Sequence, residues 1–429
     1  MKLSQRFSPQ SLSMTGAEDS QGRMFFNESG FTDLSHVEIV GSSVDTIRQL
    51  FYGVPKQSLI QKLEQHSSNR EDLIYLGEPG GIRWHFTKMG KVARYRYKLQ
   101  NNEEGIVILF GSYYEKLEAP GQHLKIELSP HFISQRSIIK IWQRLHGEHS
   151  GLSLAFLDDA APKGCAVHLA ADYQGHTMPD DFLTRLSTYS RTIRIFDSLS
   201  ELDLSDISES VASYGGSNVE RNYLIGRASA LQVCLYDKSK EIIKHDKQDY
   251  FHREWQTYTL GAFDPAKKVR RVEVRFHHSV IREIGEGMGK SLESWLDVAE
   301  HLTDIWRYGL DRTRVRLSSN PKASIDPFWQ LLMQDVFFYV PADGLRICRK
   351  KKESVDPVAK NISLLIGNMI TLCARNGFDT KQVMGQLKRL NFYPQIVSYY
   401  ISRGLSESDL RENVEKGLAM RRIIGKAAA

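Results

Sequence analysis

A chain of 429 residues is long enough for two or three domains, each with its own core. With 41% hydrophobic and 25% charged residues it is neither intrinsically disordered nor of low complexity, and its four scattered cysteines, Cys165, Cys234, Cys348 and Cys373, supply neither a CxxC ribbon nor a disulfide framework. A formal net charge of +6 suits a polyanionic partner if the bases gather on one surface.

Residues 1–34 are rich in Ser, Gly and polar residues without a sustained period, which predicts a mobile tail. From residue 36 the sequence predicts short strands at 36–40, 81–86, 93–100, 105–114, 123–129, 165–172, 191–196, 222–226, 230–237 and 269–276. Helices are expected at 44–51 and 133–145. Many strands with few helices between them predict an α+β domain with a largely antiparallel sheet over 35–289.

After residue 290 the strand signals stop. Residues 291–310 place apolar residues at helical spacing, and Val358, Ile362, Leu365, Ile366, Met369 and Cys373 make a second apolar stripe ended by Gly377. Ser406 and Asp409 resemble a capping box ahead of Leu410, Val414 and Leu418. Residues 290–429 are therefore expected to form a helical module, with the basic run 349–352 as a solvated loop or a phosphate contact. The apolar run at 362–373 is shorter than the roughly 20 residues a membrane span needs, and no signal-peptide pattern opens the chain. A cytoplasmic protein without membrane contact is the expectation.

Strand parity sorts the polar residues, because residues two apart share a face. Gln232, Cys234, Tyr236 and Lys238 fall on one side of their strand; Arg271, Glu273 and Arg275 on one side of theirs; and His168, Ala170 and Asp172 on one side of a third. Lys125, Glu127 and Ser129 align in the same way, as do Arg94, Arg96 and Lys98. An imidazole with carboxylates on neighbouring strands suits a hard divalent cation such as magnesium or manganese. A tyrosine beside such a site has the means for covalent attack on phosphorus, with Lys238 steadying negative charge and Arg271 and Arg275 positioning the backbone.

The succession Asn222-Tyr223-Leu224-Ile225-Gly226-Arg227-Ala228-Ser229, Leu235-Tyr236-Asp237-Lys238 with Glu241, and Arg271-Val272-Glu273-Val274-Arg275 resembles the replication initiation factors of rolling-circle plasmids and filamentous phages. The run 167–172, ending in Asp172, looks like a further strand of that family, and the likeness covers about residues 90–285. It implies a sheet-based endonuclease, related in mechanism to the HUH nickases, that cuts one origin strand and stays attached to the 5′ phosphate through a tyrosine. The freed 3′ hydroxyl then primes a host polymerase.

On that resemblance Tyr236 is the nucleophile and Lys238 its companion. Glu273 and Asp172 match acidic positions assigned to a magnesium or manganese ion, with His168 and Glu127 completing the candidate ligands. Arg271, Arg275, Arg227, Arg94 and Arg96 are the candidate DNA contacts. His168 stands where the family carries an acid, and the chain has no His-hydrophobic-His triplet. Expected partners are origin DNA, a host helicase and polymerase, and a second copy of the chain in a homo-dimer. The competing expectations are a conjugative relaxase and a DNA-binding regulator that keeps the fold without catalysis.

Overall fold

A computed structural model describes residues 2–7, 22–66, 73–75, 83–90, 93–134, 136–148, 151–196, 222–340, 347, 349, 357–402 and 405–425. The chain divides into two compact units, Met1–Lys350 and Lys351–Ala429.

The first unit begins with a three-stranded antiparallel sheet of β1 (Gln5–Phe7), β2 (Met24–Asn27) and β3 (Gly30–Asp33). The expected tail thus carries strands at both its ends. Phe25 is enclosed completely, and Arg6 grips Asp335 through two hydrogen bonds of 2.6 and 2.8 Å.

The main sheet is antiparallel throughout and has eleven strands among the described residues. In chain order they are β4 (Glu38–Pro55), β5 (Leu73–Tyr75), β6 (Arg83–Lys88), β7 (Tyr95–Asn101), β8 (Ile106–Ser112), β9 (Gly121–Leu128), β10 (Leu157–Gln174), β12 (Ile193–Phe196), β13 (Asn222–Gly226), β14 (Leu231–Asp237) and β15 (Arg270–Phe276). Across the sheet the order is β12-β13-β14-β15-β10-β4-β9-β8-β7-β6-β5. Two further short strands, β11 (Leu186–Thr188) and β16 (Thr313–Val315), pair apart from it. The expected α+β class with a large antiparallel sheet is what the chain forms.

One predicted element is overturned. Residues 44–51 belong to the long strand β4, not to a helix. Val44 and Ile47 look helical because they are three apart, yet both face the core; β4 carries an extra residue between them where it meets β10. A β-bulge of this kind resets the alternation of faces, so the sequence loses the period of two.

One face of the sheet builds the main core. Val167, Leu169, Val233, Val272, Val274 and Phe276 pack there with helices His278–Met288, Leu302–Arg312 and Pro327–Asp335. Trp295, Trp306 and Trp329 are wholly buried in it, so this unit extends to Lys350 and not to the expected boundary at 289. The segment 291–310 is helical as expected, but its apolar stripe serves the sheet. Gln49 is a polar residue inside this core, and its amide is fully used: it donates to the carbonyls of Gly164 and Glu293 and accepts from the Trp295 backbone.

Helices Lys238–Lys244 and Gln248–Tyr258 cover part of the opposite face, through a small core of Val40, Ile242, Phe251, Trp255, Phe263 and Val269.

The second unit has helices Pro357–Arg375, Thr380–Lys388, Tyr393–Ile401 and Glu407–Gly425 around its own core, including Ile362, Ile366, Val383, Leu387, Ile396, Leu410 and Val414. Gly377, at φ 72°, follows the first helix in the left-handed conformation that suits a C-terminal stop. Ser406 and Asp409 exchange the hydrogen bonds of a capping box. Of the basic run, Arg349 pairs with Glu283, whereas Lys350, Lys351 and Lys352 lie outside the described residues. No helix among the described residues is long and apolar enough to cross a membrane.

Candidate active site

The registers bring the three polar-faced strands together. His168 lies opposite Arg275, Ala170 opposite Glu273 and Asp172 opposite Arg271. On the other side of β15, Gln232 lies opposite Arg275, Cys234 opposite Glu273 and Tyr236 opposite Arg271. Residues directly opposite in an antiparallel pair share a face, so β14, β15 and β10 present one continuous polar surface.

Glu273 is its centre. It is 1% exposed, and both its oxygens are engaged: Oε2 accepts the Tyr236 hydroxyl at 3.0 Å and Arg275 Nη2 at 3.3 Å, while Oε1 accepts Arg275 Nε at 2.7 Å and lies 3.4 Å from His168 Nδ1. Burial alone would raise its pKa, but Arg275 and His168 outweigh burial and hold the carboxyl well below its ordinary range. Burial pushes the Tyr236 phenol well above its usual value, reinforced by the Glu273 charge. Burial also lowers His168, leaving a neutral imidazole with a lone pair to offer.

The β4 bulge supplies a residue that parity reasoning missed. Thr46 pairs with His168 and Val44 with Leu169, which leaves Asp45 as the extra residue, turned onto the polar face. One ligand atom from each of Asp45, His168 and Glu273 lies within 4.8 Å of the other two. Two carboxylates and a neutral imidazole form a donor set that magnesium or manganese accepts. The Asp45 side chain is 19% exposed against 1% for Glu273, so solvent reaches the group from the β4 side.

Two predicted ligands lie outside this group. Asp172 is held by Arg271 through Nε at 2.6 Å and a terminal nitrogen at 2.8 Å, and it also accepts the Trp255 indole N–H at 2.8 Å. Glu127 is on β9 and pairs with Lys125 at 2.6 Å and Arg48 at 3.5 Å. Lys238 is 2% exposed, pairs with Glu241, and sits 4.0 Å from the centroid of the Phe251 ring and 6.0 Å from that of Tyr236. Burial lowers its pKa, with Arg271 adding to the effect.

The predicted DNA contacts also divide. Arg271 is fully buried, spans Asp172 and Asp45, and presents nothing to a phosphate. Arg275 is committed to Glu273. Arg227 is exposed in the β13–β14 turn, at the other end of β14 from Tyr236, and reaches Thr192 at 3.4 Å. Arg94 precedes β7 and Arg96 lies on it, stacked over Tyr113 at 4.6 Å. Six strand ladders separate β7 from β14, roughly 25–30 Å at ordinary strand spacing.

Fold and site together define an α+β protein whose antiparallel sheet carries a buried tyrosine–carboxylate–imidazole cluster. The chain is 30% identical over 404 residues to the uncharacterised protein ORF430 of Pseudomonas phage Pf1, covering 90% of this chain and 89% of that one. It belongs to the family of that phage protein. No family model matches the sequence.

Proposed function

We propose that the protein is a metal-dependent DNA nickase that initiates rolling-circle replication through Tyr236, in the cytoplasm of a bacterial host. The observation that carries this reading is the Tyr236–Glu273 hydrogen bond of 3.0 Å beside a donor group completed by Asp45 and His168. The resemblance of the sequence to replication initiation factors supports it, and the phage relative supports the bacterial setting alone.

Attack of the Tyr236 oxygen on a backbone phosphorus forms a 5′ phosphotyrosine and breaks the bond to the 3′ oxygen. Glu273 Oε2 accepts the phenolic hydrogen bond and orients the Tyr236 oxygen, the phenolic proton leaves to water, and the departing 3′ oxygen takes a proton from water. Asp45, His168 and Glu273 would hold the divalent ion, which would supply charge neutralisation at the phosphate when bound. Tyr236 is only 5% exposed, so attack requires a rearrangement that bares its hydroxyl to the DNA strand.

The same burial, with Glu273 and Asp172 both held by arginines, favours a second reading: a DNA-binding protein that keeps this cluster for structure alone. Incubation with supercoiled origin plasmid and magnesium or manganese separates the two. The nickase converts plasmid to nicked circles with protein attached, and Tyr236→Phe does neither. A wild-type chain that leaves the plasmid supercoiled overturns the nickase reading.

A further inference from the structure

Residues 351–429 hold thirteen Lys and Arg against seven Asp and Glu, an excess of six that equals the formal charge of the whole chain. Residues 1–350 are neutral, with 44 of each sign. The sheet unit with Tyr236 therefore has no formal net charge, and the formal excess of the whole chain lies in the small helical unit.

Within the helical unit most of the acids are used internally. Asp379 caps helix Thr380–Lys388, Asp409 closes the capping box with Ser406, Glu407 takes Lys388 at 2.7 Å and Tyr393 at 2.9 Å, and Glu412 pairs with Lys416. Arg375, Lys381, Arg389 and Arg411 are exposed and pair with no carboxylate among the described residues.

The second and third helices, Thr380–Lys388 and Tyr393–Ile401, are joined by only four residues. Val383, Leu387, Ile396 and Tyr400 turn into the shared core, which leaves Gln395, Ser398 and Ile401 on an exposed face of the third helix. Exposed Arg389 and Asn391 lead into that face. A helix, a turn of three or four residues and a second helix form the connectivity that places the second helix in a DNA major groove. Gln, Asn and Ser are side chains that read base edges there, while Lys and Arg hold phosphates.

We propose that the C-terminal unit binds duplex DNA, with helix Tyr393–Ile401 in the major groove and Lys381 and Arg389 on flanking phosphates. This does not depend on nicking by Tyr236.

The test uses the full-length chain carrying Tyr236→Phe, so that no strand is cut. It is titrated by fluorescence anisotropy into a mixed-sequence duplex at KCl concentrations between roughly 50 and 200 mM. Replacing Lys381 and Arg389 together by Ala should weaken binding at low salt and reduce the slope of log K against log salt by about 2. Lys381→Arg with Arg389→Lys should restore both, which separates charge from folding. For a duplex selected from a random pool, Gln395→Ala should reduce the preference over unselected duplex by roughly five- to hundredfold.

Unchanged affinity and slope in the double-alanine variant overturn the proposal. So does tighter binding to a single strand of equal length, or to phosphatidylserine vesicles, than to duplex. A wild-type chain that binds duplex with the expected slope yet never nicks would remove the nickase reading and leave this one standing.

Discussion

Tyr236 and Glu273, on adjacent strands, are joined by a hydrogen bond of 3.0 Å from the phenol to Oε2, inside a face where both side chains are nearly free of solvent. The pair is not directly opposite: Tyr236 pairs with Arg271 and Cys234 with Glu273, so the bond runs diagonally across the ladder. Tyr236→Phe removes the donor but leaves Glu273 its contacts with Arg275 and His168. The expected loss of stability is about 1–2 kcal/mol in urea denaturation, with nicking abolished. A folded Phe variant that nicks at the wild-type rate would exclude Tyr236 as nucleophile.

Asp45 and His168 are predicted to govern metal binding. Titration with manganese, followed by calorimetry or by loss of the free-ion electron paramagnetic resonance signal, should show an affinity reduced at least about tenfold by Asp45→Ala or His168→Ala. Glu127→Gln, outside the donor group, should leave it near the wild-type value. Equal losses in all three variants would place the ion elsewhere.

Arg271 holds two carboxylates, Asp172 and Asp45, and is itself enclosed. Arg271→Met leaves Asp172 buried and charged without its guanidinium, a change that typically costs about 3–5 kcal/mol. Asp172→Asn together with Arg271→Met should recover part of that loss. Denaturation midpoints that show no coupling between the two would contradict the clamp.

Helix Leu302–Arg312 meets β15 from the core side at Gly309, where an added Cβ would lie 2.6 Å from Val274 Cγ1 and 2.8 Å from Phe276 Cζ. Gly309→Ala therefore forces the helix away from the strand that carries Glu273, at an expected cost of about 1–3 kcal/mol. A thermal melt at or above the wild-type temperature would refute that close approach.

Burial lowers His176 to about 4, with His36 and Arg270 adding to the effect, and burial with neighbouring cations lowers His278 to about 4. Both titrate near 6.5 when unfolded, so between these values the unfolded chain binds more protons than the folded one. The stability they contribute is present above pH 6.5 and is lost as pH falls toward 4. His176→Gln should flatten the dependence of the urea midpoint across that window, although it also removes the stack on Phe328 at 3.9 Å. An unaltered slope would show that His176 is protonated in the folded state.

The strands of the main sheet could be read from the residues themselves. Runs such as 231–237 and 270–276 alternate apolar and polar residues, with Val233, Leu235, Val272 and Val274 turned into the main core. The same alternation placed Tyr236, Glu273 and His168 on polar faces without any knowledge of which strands are neighbours. What it could not supply was the register, which depends on long-range pairing and fixes who meets whom. Register took Asp172 and Arg271 out of the roles assigned to them and paired them with each other. It also brought in Asp45, invisible in the sequence because a bulge breaks the alternation that would have revealed it. The end of the first unit was hidden for a similar reason: the helices at 295–335 have an ordinary apolar stripe, and only packing decides that the stripe is spent on the sheet and not on the helices that follow. Local periodicity is written residue by residue, whereas the partners of a buried charge are chosen by the fold as a whole.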